Sequence, residues 1–62
     1  MSAPKPIGHE VVIEIASSGQ RLVITRRWRI ATPYRARAMG LRVAGAQRVI
    51  TMTPLYAADF AS

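Results

Sequence analysis

The groups able to move a proton in this 62-residue chain are few: His9, Glu10, Glu14 and Asp59. Glu10 and Glu14 are four residues apart. On one face of a strand they would stand roughly 13 Å apart at about 3.3 Å per residue. That is wider than the roughly 6.5 to 9.5 Å between the carboxylates of an inverting glycosidase. Ser17 and Ser18 fall in a turn sequence with no base beside them, there is no cysteine nucleophile, and no glycine-rich phosphate loop occurs. His9 has no second histidine with which to share a metal, and its simplest reading is an exposed residue at the start of a strand. This inventory argues against an enzyme and implies no cofactor.

Arginine is the other chemistry-bearing residue, and its placement is lopsided. Residues 15 to 58 hold eight arginines and no acidic residue, and Lys5 is the one basic residue outside that stretch. Lysine would serve solubility as well, whereas the planar guanidinium binds phosphate or carboxylate through two parallel hydrogen bonds and stacks on aromatic rings. With a formal net charge of +6, the expected partner is polyanionic. The leading expectation is a non-enzymatic DNA-binding protein, of the kind a dimeric transcriptional regulator would be, contacting phosphates through Arg21, Arg26, Arg27, Arg29, Arg35, Arg37 and Arg42. The competing expectation is a small protein-binding or assembly module, such as a phage-encoded inhibitor or a virion component, whose arginines meet an acidic protein surface.

The elements that must carry these side chains can be read from pattern. Pro4 and Pro6 make residues 1 to 7 an extended arm, ahead of a single small domain over 8 to 62. "HEVVIEIA" alternates as a strand, with Val11, Ile13 and Ile15 on one face and Glu10, Val12 and Glu14 on the other. "SSGQ" is hairpin-turn chemistry, and "RLVITRRWRI" resumes the strand pattern. With Ser18 and Gly19 as the loop, the register pairs Ile15 with Leu22, Ile13 with Ile24, Glu14 with Val23 and Glu10 with Arg27. Arg21, Arg27 and Arg29 then share one face, while Arg26 and Trp28 join Leu22 and Ile24 on the other. Trp28 is expected in the core. Arg26 among those apolar residues marks either the point where the strand leaves the core or an interface.

Thr32-Pro33 is a helix start signal: threonine can cap free amides, and proline suits the first helical position. It predicts a helix over about 33 to 41 that ends near Gly40, with Ala36, Ala38 and Met39 as its apolar side and Arg35 and Arg42 close to one stripe. "QRVITMT", residues 47 to 53, reads as a third strand. Thr53-Pro54 repeats the start signal and predicts a short terminal helix with Tyr56 and Phe60 on one face. The fold class is α+β, in the order β-β-α-β.

The segment "TPYRARAMGLRVAGAQRV" resembles the helix and hinge of AbrB-type swapped-hairpin DNA-binding proteins at Pro33, Arg37, Met39-Gly40-Leu41, Gly45 and Val49. The match covers about a third of the chain, needs one inserted residue after Gly40, and has Ala46 where an acidic residue is usual. It implies DNA binding by a dimer. The same segment is similar to a helix-turn-helix core at Ala36, Gly40, Leu41 and Val49, although "RVITMT" prefers strand.

A chain this short buries only about 60% of the surface its unfolded form exposes, and no cysteine or metal cluster supplements it. Self-association or assembly into something larger is therefore expected. No run approaches the roughly 18 to 20 apolar residues of a membrane span, and "MSAPKPIGHE" lacks the apolar region of a signal peptide. The expected location is the cytoplasm.

Overall fold

A computed structural model describes residues 3 to 61. Two strands, β1 (Gly8–Ser17) and β2 (Gln20–Trp28), form a hairpin; helix α1 (Pro33–Leu41) follows, then strand β3 (Ala46–Leu55) and a 3-10 turn, η1 (Ala57–Phe60). The sheet order is β2-β1-β3, with β1 central and antiparallel to both neighbours. This is the α+β arrangement expected of the sequence.

The hairpin register follows from its turn. Ser18 and Gly19 both take positive φ, 51° and 77°, the geometry of the two-residue turn whose twist suits adjoining strands. The loop fixes every pair beyond it: Ile15 lies opposite Leu22, Ile13 opposite Ile24, Glu14 opposite Val23 and Glu10 opposite Arg27. On the other side, β1 pairs with β3 from Gly8 opposite Leu55 to Ile15 opposite Ala46, with irregularities that set Ile50 and Gln47 outside the ladder as bulge residues.

Helix α1 packs on β1 and β3 and covers one face of the sheet. The fully buried residues at that contact are Val11, Ile13 and Ala36, ringed by half-buried Ile15, Ile24, Trp28, Val49 and Met52. Gly40 allows the approach. A Cβ there would stand 3.1 Å from Val11 Cγ1 and 3.2 Å from Val49 Cγ2, so the glycine is a packing residue inside the helix rather than its terminator. The chain leaves α1 through Arg42 in right-handed conformation, and the positive φ, 81°, comes at Gly45 just before β3. The apolar side of α1 is accordingly Ala36 and Gly40; Ala38 and Met39 are exposed.

Three further expectations need correction. Thr53-Pro54 starts no helix: β3 runs on to Leu55, because β1 extends far enough to pair Pro54 with His9 and Leu55 with Gly8. Only η1 follows, with Tyr56 before it rather than within it, and Asp59 Oδ2 accepts the Tyr56 N–H at 2.7 Å. His9 is not exposed but 3% accessible, its Nδ1 lying 2.8 Å from the carbonyl oxygen of Ile30. That bond ties the start of β1 to the segment leading into α1. Finally, Val49 lies in β3 rather than in a recognition helix, which removes the helix-turn-helix reading.

Within the arm, residues 3 to 7 have no regular structure, and the Ile7 N–H donates to the Leu55 carbonyl at 2.8 Å. No helix among the described residues is long and apolar enough to cross a membrane.

Candidate polyanion interface

The two faces of the sheet treat arginine differently. On the face away from α1, the register places Glu10 and Glu14 between Arg21 and Arg27 of β2 and Arg48 of β3. Two of these arginines are engaged: Arg27 Nε donates to Glu10 Oε2 at 2.9 Å, and Arg48 Nε to Glu14 Oε1 at 3.4 Å. Among the described residues, Arg21 is left unmatched there. The expected pairing of a carboxylate with an arginine across the hairpin is therefore made, and it withdraws Arg27 from other contacts.

The helix side has no such compensation. Arg26, opposite Val11, turns to that side from β2, and its guanidinium reaches only the Thr25 carbonyl at 3.2 Å. Arg37 is exposed on α1. Arg29, Arg35 and Arg42 line one groove of about 550 Å³ between α1 and the segment entering it, together with Ile30, Ala31, Thr32, Tyr34, Ala38 and Met39. Among the described residues, no carboxylate lines this groove.

Helical periodicity builds one wall. Arg35, Ala38, Met39 and Arg42 are spaced i, i+3, i+4 and i+7, so they form one stripe of α1 while Ala36 and Gly40 face the sheet. The opposite wall is residues 29 to 32, held in place at its centre by the bond between Ile30 and His9. Arg29 is oriented by stacking, its Cζ lying 4.8 Å from the centre of the Phe60 ring. Tyr34 stands at the rim with 82% of its surface exposed.

At the start of α1, Pro33 takes the first helical position as expected, but Thr32 makes no side-chain capping bond; its carbonyl accepts the Ala36 N–H at 3.0 Å. The first-turn amides are thus uncapped by any side chain, and no acidic residue occupies that turn. Both conditions favour an anion there.

Of the seven arginines picked out by sequence, five fall on the helix side (Arg26, Arg29, Arg35, Arg37 and Arg42), and three of those share the groove. Arg21 and Arg27 lie on the opposite face; Arg29, expected beside them, instead lines the groove, because β2 ends at Trp28 and strand alternation no longer applies to it. Sequence reasoning passed over Tyr34 and Met39 as site residues; the signal for Met39 was its i, i+4 relation to Arg35, whereas Tyr34 had no such mark. Among the described residues, no group of acidic residues, histidine and cysteine could hold a metal ion. Compared with known proteins, the chain matches no family model, no curated protein and no solved structure.

Proposed function

We propose that this chain is a non-enzymatic DNA-binding protein that grips the phosphate backbone with the helix side of its sheet. The observation that carries the proposal is the segregation of Arg26, Arg29, Arg35, Arg37 and Arg42 on that side, with no acid in the groove that gathers three of them. Each guanidinium suits two oxygens of one phosphate, and each contact releases counterions from the nucleic acid. Tyr34, exposed beside Arg35, offers a ring to a sugar or base, and Met39 and Ile30 give the groove an apolar floor.

The commitments of the acid-base groups support a binding role over catalysis. Glu10 and Glu14 are each tied to an arginine, Asp59 caps the Tyr56 amide, and His9 is buried against the Ile30 carbonyl. A catalytic acid or base needs access to a reacting atom, and none of these four reaches the arginine groove.

Salt titration against duplex DNA tests the proposal. If all five arginines meet phosphates, log affinity plotted against log salt falls with a slope of about −4.5. A slope near zero contradicts it.

A further inference from the structure

We infer that two copies of this chain join through the open edge of β2, continuing the sheet from β3-β1-β2 of one copy into β2-β1-β3 of the other. The inference does not depend on what the arginines bind.

The molecule exposes more surface than a compact chain of its mass. Its accessible area is 4705 Å², against about 3950 Å² for a folded monomer of this size. The excess, about 750 Å², is close to the roughly 800 Å² that each partner contributes to a standard interface. Its radius of gyration, 13.0 Å, likewise exceeds the roughly 10.6 Å of a compact domain of this length. The extended arm adds to this surface, and so does the uncovered strip over β2. Helix α1 sits over β1 and β3, so the side chains that β2 turns to the helix side are left under-covered: Leu22 is 44% exposed, and Ile24 and Trp28 are only half-buried.

The two sheet edges are unequal. Strand β3 is interrupted at Gln47 and Ile50 and contains Pro54, features that blunt an edge against pairing. Strand β2 pairs with β1 without a break from Gln20 to Trp28 and contains no proline. In a two-residue hairpin the residues flanking the loop exchange both backbone bonds, so Gln20, Leu22, Ile24, Arg26 and Trp28 bond inward to β1. Arg21, Val23, Thr25 and Arg27 then turn their N–H and C=O outward.

Like charge chooses the register. In an antiparallel two-fold pairing, a centre at Ile24 sets Arg21 opposite Arg27, and a centre at Arg26 sets that arginine opposite itself; both are unfavourable. A centre at Val23 leaves Trp28 beyond the ladder. A centre at Thr25 uses the whole of 22 to 28, lays Leu22 against the partner's Trp28 at both ends, and within that span places no arginine opposite another; Arg21 would face only the partner's Arg29, which lies past the end of β2 and stacks on Phe60. Both helices then lie on the same side of one six-stranded sheet, and the two arginine grooves face the same way.

Each copy carries +6, so screening should strengthen the pair while it weakens any grip on phosphate. The two proposals therefore respond to salt with opposite signs and can fail separately. The test is the mass of the intact chain by sedimentation from low salt to about 1 M, where the Debye length is about 3 Å, combined with crosslinking through single cysteines. The chain has no cysteine of its own, so Thr25→Cys reports on the β2 edge and Thr51→Cys on β3. The expected results are a species of twice the 6.8 kDa chain mass, favoured by salt, and an interchain disulfide from Thr25→Cys on mild oxidation but not from Thr51→Cys. A monomer at high concentration and high salt overturns the inference. So does a dimer in which Thr51→Cys crosslinks in place of Thr25→Cys, or in which neither does.

Discussion

The two faces of this sheet are made from the same three strands yet solve opposite problems. The face under α1 holds Val11, Ile13 and Ala36 out of water and surrounds that small core with arginines that have no acidic partner. The other face is covered only at one end, where Leu55 opposite Gly8 is 5% exposed and Phe60 lies against Gly8; elsewhere it is open, and its charges answer one another, Glu10 to Arg27 and Glu14 to Arg48. Stability is thus concentrated on one side together with the uncompensated charge, whereas the exposed side is close to neutral. A chain selected only for solubility would have no reason to separate its arginines in this way; one that presents them to a polyanion would.

The sharpest way to break the comparison is to remove one methyl-rich side chain from each face. Ile13→Ala should cost about 2 to 5 kcal/mol, a large part of the roughly 3 to 9 kcal/mol available to a chain of 62 residues. Urea unfolding should show a strongly lowered midpoint for this variant. Its neighbour Val12, on the open face and half-buried, should tolerate alanine with much less loss. Equal losses at the two positions would mean that something covers both faces.

A smaller effect is expected at the joint between the core and the groove wall. His9→Ala removes the bond to the Ile30 carbonyl and leaves that part-buried acceptor without its partner, which costs up to about 1 to 3 kcal/mol. Because Ile30 lies in the wall next to Arg29, DNA affinity should drop along with the thermal midpoint. Thermal melts and binding isotherms on the same variant check this, and unchanged affinity in a destabilised protein would separate the wall from the site.

The least costly change sharpens the contrast rather than breaking it. Glu14→Gln dissolves an exposed ion pair worth at most about 1 kcal/mol and frees Arg48 on the open face. Stability should hardly move, while the salt dependence of DNA binding should stay close to that of the parent, since Arg48 is on the face turned away from the groove. A steeper slope would show that the open face also meets phosphate.

Much of the fold is legible in the sequence because one local feature fixes many others. The Ser18-Gly19 turn sets the hairpin register, and from it follow the pairing of Glu10 with Arg27 and the division of Arg21 and Arg27 from Arg26 and Trp28. The Thr-Pro pairs show where local chemistry runs out. At 32–33 the chain has just left the hairpin and a helix follows. At 53–54 the same dipeptide lies beside the free edge of β1, and strand pairing wins. Gly40 has the composition of a terminator, but the helix needs it for close approach to Val11 and Val49, a long-range requirement with no local mark. His9 gives no local sign of its burial for the same reason, since its partner lies 21 residues away. The arginine groove is half legible: the seven-residue spacing of Arg35 and Arg42 is visible, but their meeting with Arg29 depends on how α1 crosses the sheet.

The difference between the faces is most directly tested by measuring the salt dependence of DNA binding for three proteins: the parent, Arg35→Ala/Arg42→Ala, and Arg21→Ala. Every phosphate that a variant no longer neutralises should flatten the slope by about 0.9. The account predicts a slope shallower by about 1.8 for the double variant and no change for Arg21→Ala. A slope that flattens for Arg21→Ala but not for the groove pair would contradict it.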